Sequence, residues 1–340
     1  MNNLKLKRLA ANRWIQKSSL TQFHPKVCYS HISENPKSRL TASLHGSNIY
    51  KHPSNCSCAH SVFSNRFCMI TAFSNCSQLH QLHTTSQYNM PPFISRRVYI
   101  QWHPSDMPPS APSEPTSTLV LSDTSAPEGT GRFVDVRIHQ HALTKPNNNI
   151  LSAADIDWAI AGVCTSTPLN PEHQENKEVV YTRKASFLHE IDSRGSDYTD
   201  EGLMCPTTDG SGDELEHAVI FNPEEGVLMA CEERWTDSDA DLLPGRNRKE
   251  CIIMRIRRTT DNAYKGQLLL LGTHMQAIVA GNSGELHLQR WEYKTNDVGR
   301  WELIASLGAK GIIPNPDHIL AGGDLKVNGL VWEVIKKIEW

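Results

Sequence analysis

The stretch Ala218 to Asp237 reads AVIFNPEEGVLMACEERWTD. Two runs of strand-forming residues flank Asn222-Pro223-Glu224-Glu225-Gly226. There proline presets one turn dihedral and glycine accepts a positive φ, so the chain can reverse. After the turn, Val227, Met229, Cys231 and Trp235 fall on one strand face, and Leu228, Ala230, Glu232 and Arg234 on the other. This pattern predicts a β-hairpin. Met275 to Tyr293, MQAIVAGNSGELHLQRWEY, repeats it with a turn at Gly281-Asn282-Ser283-Gly284. Both hairpins end in Arg-Trp, at Arg234-Trp235 and Arg290-Trp291, and predict matching parts of two similar β-domains.

Short strands surround these hairpins. Val98 to Trp102 alternates. In Arg132 to His139, Val134, Val136 and Ile138 face one side, Asp135 and Arg137 the other. Ile156, Trp158 and Ile160 share a face; a long β-rich run follows from Glu178 to Ile191. Cys251 to Arg257, Gln267 to Thr273, Trp301 to Ala305 and Gly329 to Ile338 continue the series. Sustained helical periodicity is missing, so the fold class is all-β, a sandwich or antiparallel barrel. Closure removes exposed edges and favours barrels. A polar connector from Ser238 to Lys249 separates residues 90–243, the first barrel, from residues 244–340, the second.

The net charge of -3 over 340 residues hides an asymmetry. Residues 1–89 hold ten Lys/Arg and one acid, a net of +9; residues 90–340 hold 24 Lys/Arg and 36 acids, a net of -12. An acidic body argues against a broad nucleic-acid surface. Residues 1–89, rich in Ser, His, Asn and Cys, read as a disordered extension. Either they form a mitochondrial presequence, with Lys5, Lys7, Arg8, Arg13 and Lys17 ahead of any acid, or they precede a natural start at Met90. Their Cys and His spacings match no paired CxxC arrangement, so no metal is expected. Cys164, Cys205, Cys231 and Cys251 are widely spaced, which predicts buried free thiols. No run of about 18 apolar residues occurs, so no membrane span is expected.

Catalytic motifs of the GxSxG, HExxH, GxGxxG and Walker types are absent, and no enzyme or cofactor is expected. His189, Glu190, Asp192 and Arg194 are the densest polar cluster beside a strand. Strand alternation puts His189 and Ile191 opposite Glu190 and Asp192, which favours a structural ion pair over acid–base work. Asp197, Asp200, Glu201, Asp209, Asp213, Glu214 and Glu216 lack the twelve-residue calcium-loop pattern and read as a solvated acidic loop. Trp102, Trp158, Trp235 and Trp291, with His189, are the candidate ligand-binding residues if a barrel encloses a cavity. Ser211 and Ser238 precede acids and are candidate phosphorylation sites for acidophilic kinases.

Several segments together resemble a known family: Arg97-Val98-Tyr99-Ile100-Gln101-Trp102, Gly131-Arg132-Phe133-Val134-Asp135-Val136-Arg137, Ile156-Asp157-Trp158-Ala159, His189-Glu190-Ile191-Asp192-Ser193-Arg194, Asn222-Pro223 with Glu232-Glu233-Arg234-Trp235, and Gln289-Arg290-Trp291-Glu292. They resemble the fungal HRI family, named for interaction with a casein-kinase-1-type kinase, from about Met90 to Trp340. The resemblance implies two packed lipocalin-like β-barrels, a casein-kinase-1-type protein kinase as partner, and residence in cytosol and nucleus. It implies no established enzymatic activity. The expected function is therefore a non-enzymatic interaction module; the alternative is a carrier of a small apolar ligand.

Overall fold

The structure, a computed structural model, describes residues 91–123, 130–145, 149–170, 172, 174, 179–195, 199–258, 263–295 and 299–340. The readings of residues 1–89 and of Asp197 lie outside the described residues. The described chain is all-β. Eight antiparallel strands close into a barrel in chain order: β1 (Phe93–His103), β2 (Thr116–Asp123), β3 (Thr130–His139), β4 (Ile156–Pro168), β5 (Arg183–Asp192), β6 (Thr199–Pro206), β7 (Glu214–Asn222) and β8 (Val227–Asp239), with β8 returning to β1. The remaining strands form a seven-stranded half-barrel: β9 (Glu250–Ile256), β10 (Tyr264–Leu271), β11 (His274–Gly281), β12 (Leu286–Lys294), β13 (Arg300–Leu307), β14 (Leu325–Val327) and β15 (Leu330–Glu339), in the order β13-β12-β11-β10-β9-β15-β14.

Both hairpins form where turn chemistry places them. Ala218 pairs with Cys231 across β7–β8, and Gly226 takes a φ of 68° in the turn. Ile278 pairs with Leu288 across β11–β12.

The alternation of β3 shows how one strand serves two cores. Val134, Val136 and Ile138 face outward, where they join Leu119, Leu121, Ala159 and Ala161 of the barrel and Ile253, Leu269, Leu271, Ile278 and Leu288 of the half-barrel. This apolar seam unites the two sheets. Three half-barrel side chains cross it to barrel backbone carbonyls: Gln267 donates to Phe133 O (2.8 Å) and Gly162 O (3.0 Å), Gln276 to Leu119 O (2.8 Å) and Val134 O (3.0 Å), and Arg290 to Val136 O (2.6 Å). Phe133, Asp135 and Arg137 point the other way, into the barrel.

The half-barrel stays open because its other face is already occupied. The Gly/Pro-rich passage after β13 lays Ile312, Ile313 and Ile319 over Met254, Leu268, Leu270, Met275 and Trp332. Trp332 Nε1 donates to Ile312 O at 3.0 Å, which fixes the passage there. Its edge strand β13 is bridged in parallel by Ile150, with Leu151 N donating to Ser306 O at 2.7 Å and Ser306 N to Asn149 O. That contact shields an edge that closure would otherwise have removed. No described helix is long and apolar enough to cross a membrane.

Candidate functional site

The barrel interior contains the candidate site. Apolar side chains from six strands line it: Val120, Phe133, Ile160, Phe187, Met204 and Trp235. Its cavity measures about 80 Å³ over the positions open to a water-sized sphere. One water needs roughly 10–15 Å³ on that measure, so the space takes several waters or a small organic molecule. The cavity reaches the surface at Phe93, Thr165, Ser166, Arg183, Glu214 and Asp237, none of them buried. Toward the opposite end, Ile100, Ile220 and Cys231 pack with Trp102 and Ala218 and plug the barrel.

A charge network lies inside this apolar wall. Arg97 pairs with Glu114 (2.6 Å) and with Glu233, and donates to Thr116 Oγ1 (3.1 Å). Arg137 pairs with Asp135 (2.9 Å) and Glu233 (3.2 Å). The Arg137 guanidinium also lies 4.9 Å from the centroid of Trp158 and 5.9 Å from that of Trp235, within cation–π range. Burial opposes charge on Arg97, Arg137, Glu233 and Asp135, yet the mutual attraction wins for the first three. Arg97 and Arg137 sit above the ordinary arginine range, and Glu233 below the usual carboxylate range. Asp135 is the exception: burial raises it despite Arg137.

Two further carboxyls, Asp200 and Glu216, face the cavity, and among the described residues neither has an ion-pair partner. Burial lifts Asp200 to about 6. Burial, with Glu233 and Asp200 nearby, lifts Glu216 to about 8. Asp135 Oδ1, deep in the same cavity, has no hydrogen-bond partner, and neither has the Trp235 Nε1 donor. At the rim Arg183 pairs with Glu214, and Ser95 Oγ donates to Asp237 (2.6 Å).

The five residues marked in the sequence are only partly brought together. Trp235 lines the cavity. Trp158 is 1% exposed and braces Arg137 from the barrel core. His189 contacts Trp158 edge-on, with centroids 5.5 Å apart, and meets Asp192 at 3.0 Å. Trp102 belongs to the plug, and Trp291 lies in the half-barrel, packed on the face away from the seam.

Strand alternation alone misplaced His189 and Asp192 on opposite faces; in the structure they meet. Gly162 pairs with His189 and Ala161 with Ile191, so Glu190 is a bulge residue without a partner in the ladder. The bulge shifts the alternation by one and turns Asp192 inward, where it also accepts from Trp158 Nε1 (3.0 Å). Glu190 points outward to Arg132 (2.6 Å) and Arg255 (3.0 Å). Gly162 permits this, because a Cβ there would lie 1.9 Å from Leu188 O. The arrangement is a buried pair of His189 and Asp192.

The acidic segments also divide. Asp209 and Asp213 hold Arg234 at 2.8 and 2.6 Å on the outer surface, whereas Asp200, Glu214 and Glu216 line the cavity. The solvated-loop reading therefore fails for these three, because β6–β7 pairing turns them inward. Ser211 is exposed and accepts from Arg234 Nη2 (3.1 Å). Ser238 is not in a loop; it pairs with Ile94 in the barrel ladder. Cys164, Cys205, Cys231 and Cys251 are free and buried, and burial pushes the Cys164 thiol up to about 12. Among the described residues no cluster of three or more metal-binding side chains occurs.

The crystal structure of uncharacterized protein YLR301w from Saccharomyces cerevisiae is similar in fold, with a TM-score of 0.51 at 20% identity, covering 73% of this chain and 100% of that one. A search of curated protein sequences returned no match. The family model described as Protein HRI1 matches residues 93–336, all fifteen strands except the last residues of β15. The chain belongs to the HRI1 family.

Proposed function

We propose that this protein is a non-enzymatic carrier that holds a small ligand in its eight-stranded barrel. The observation that carries this reading is the cavity itself, walled by Phe133, Phe187, Met204 and Trp235 and plugged at one end. A barrel of eight strands has an interior that side chains can fill or that one small ligand can share. Here space remains. Native mass spectrometry of the full chain tests the reading. A small molecule retained at one per chain is expected; an empty chain from every source preparation counts against it.

A second reading is the protein-interaction module. It is favoured by Val219, Phe221, Val227 and Leu228, which are exposed together on the β7–β8 hairpin. The partner, a casein-kinase-1-type kinase, rests on the family resemblance. Pull-down with Phe221→Ser and Leu228→Ser variants tests it: loss of the kinase supports the module, and unchanged capture moves the contact elsewhere. Phosphate mapping after kinase treatment tests Ser211 and Ser238, with Ser211 the more accessible. Cytosolic and nuclear placement belongs to the same proposal, and imaging of the tagged full chain tests it against mitochondrial import.

A further inference from the structure

We propose that the barrel lumen is a site for a small organic cation, an ammonium on an apolar or aromatic body, with its charge held among Asp135, Asp200 and Glu216. This deepens the carrier reading and rests on it.

Charged side chains from several strands face the cavity. Strand β3 contributes Asp135 and Arg137, β6 contributes Asp200, β7 contributes Glu216, and β8 contributes Glu233, which also pairs with Arg97 of β1. His189 and Asp192 of β5 pair with each other in the barrel interior. Cys164 of β4 is an uncharged thiol on the wall. At the rim Arg183 is paired with Glu214, and Asp237 accepts from Ser95. Glu233 takes both Arg97 and Arg137; Arg137 also takes Asp135, and Arg97 also takes Glu114. Both of these guanidinium groups are committed, and among the described residues Asp200 and Glu216 remain without a cation.

An uncompensated buried carboxylate is expensive. Such a group either keeps its proton or recruits a positive partner. Glu216 adds an independent sign: it is 8% exposed, lines the cavity and has no hydrogen-bond or ion-pair partner among the described residues, while Asp135 Oδ1 of the same wall also lacks a donor. The missing partner is therefore a donor with positive charge. An ammonium supplies both, with three N–H groups for several acceptors. The rest of the lining selects what carries it. Phe133, Phe187, Met204 and Trp235 offer apolar and aromatic surface to a compact body, and their ring faces favour a cation over an anion. An anionic ligand such as a fatty acid would meet carboxyls at Asp200 and Glu216 and no uncommitted guanidinium in the lumen.

The test uses three probes of one shape on the full chain: 2-phenylethylamine, 2-phenylethanol and 3-phenylpropanoate. Isothermal titration calorimetry at pH 8, in two buffers of different ionisation heat, reads affinity and proton release. The amine is expected to bind at least ~10-fold more tightly than the alcohol, one charge-assisted contact being worth about that factor, and the propanoate not to bind. Glu216→Gln and Asp200→Asn, each checked for folding by circular dichroism, lower amine affinity by ~10-fold or more and narrow the preference for amine over alcohol. Repeated at pH 7, amine binding by the native chain releases protons, because the ligand displaces them from Glu216. Equal affinity for amine and alcohol, or preference for the propanoate, overturns the cation assignment while the carrier reading stands. Absence of binding by all three probes, together with an empty chain in native mass spectrometry, overturns both.

Discussion

Arg137 and Arg290 are both fully enclosed, one in the barrel lumen and one in the seam, and their surroundings differ in kind. Arg137 sits among carboxylates, Asp135 and Glu233, and between two indole rings. Those charges hold its proton more tightly than usual despite burial. Arg290 meets neutral oxygens: Gln276 Oε1 (3.0 Å), Ser117 Oγ (2.9 Å), Ser117 O (3.1 Å) and Val136 O (2.6 Å). Burial wins there and lowers it to about 10. The two hairpins that end in Arg-Trp carry the same contrast. On β8 Trp235 faces the lumen and Arg234 the surface, whereas on β12 Arg290 enters the seam and Trp291 packs on the far face. Identical dipeptides at the ends of similar hairpins therefore serve opposite faces. The lumen is organised by charge; the seam is organised by packing and by dipoles that locate one sheet on the other.

This contrast can be broken by measurement. The largest effect is expected at Arg137→Met, which leaves Asp135 without its cation and Glu233 with only Arg97; stability should fall by about 3–5 kcal/mol in urea unfolding. The matching Arg290→Met should cost only about 1–2 kcal/mol, since it strands neutral acceptors and removes a desolvated charge. Equal losses would erase the distinction between the two regions. Gly162→Ala falls between them at about 2–3 kcal/mol, because its methyl collides with backbone at Leu188. Near-UV circular dichroism should report the movement of Trp158 that follows if the Glu190 bulge is displaced.

A pH series sharpens the comparison further. Glu216 is lifted from an ordinary 4.5 to about 8 in the fold. Between those values the folded chain keeps a proton that the unfolded chain has lost. Stability therefore declines as pH rises through that window and is fully retained below it. Glu216→Gln should remove the decline, making the variant more stable than the native chain by on the order of 2 kcal/mol at pH 8, with no gain at pH 4. The smallest effect belongs to the thiols. Cys164, Cys205, Cys231 and Cys251 should resist a thiol reagent in the native state and react on unfolding, because burial raises each of them.

What was legible in the chain follows the range of the forces involved. Turn chemistry and alternation are local, so Asn222 to Gly226 and Gly281 to Gly284 gave their hairpins, and Val134, Val136 and Ile138 gave one buried face. The lumen was not legible for a local reason as well. Bulges at Val98 and Glu190 each shift the alternation by one residue, and no neighbouring sequence announces them. Asp200 and Glu216 looked like solvated acids because the strands that turn them inward are paired at long range. A hint existed in β3, where Asp135 and Arg137 alternate with apolar residues on a strand buried on both sides. The opening of the half-barrel was equally remote, since it depends on Ile312, Ile313 and Ile319 filling the face that closure would have enclosed.

The short parallel contact from Asn149–Leu151 to Ser306 has an evolutionary consequence. The strip that guards the rim of β13 is encoded between β3 and β4, far upstream of the sheet it protects. The half-barrel is therefore not a transferable module. Severed at the connector between β8 and β9, it would present both an unguarded rim and the apolar seam surface of Ile253, Leu269, Ile278 and Leu288. Such a fragment is an invitation to fibrillar self-association. Gene fission or domain shuffling at that connector would be selected against, and the two sheets should be inherited as a unit.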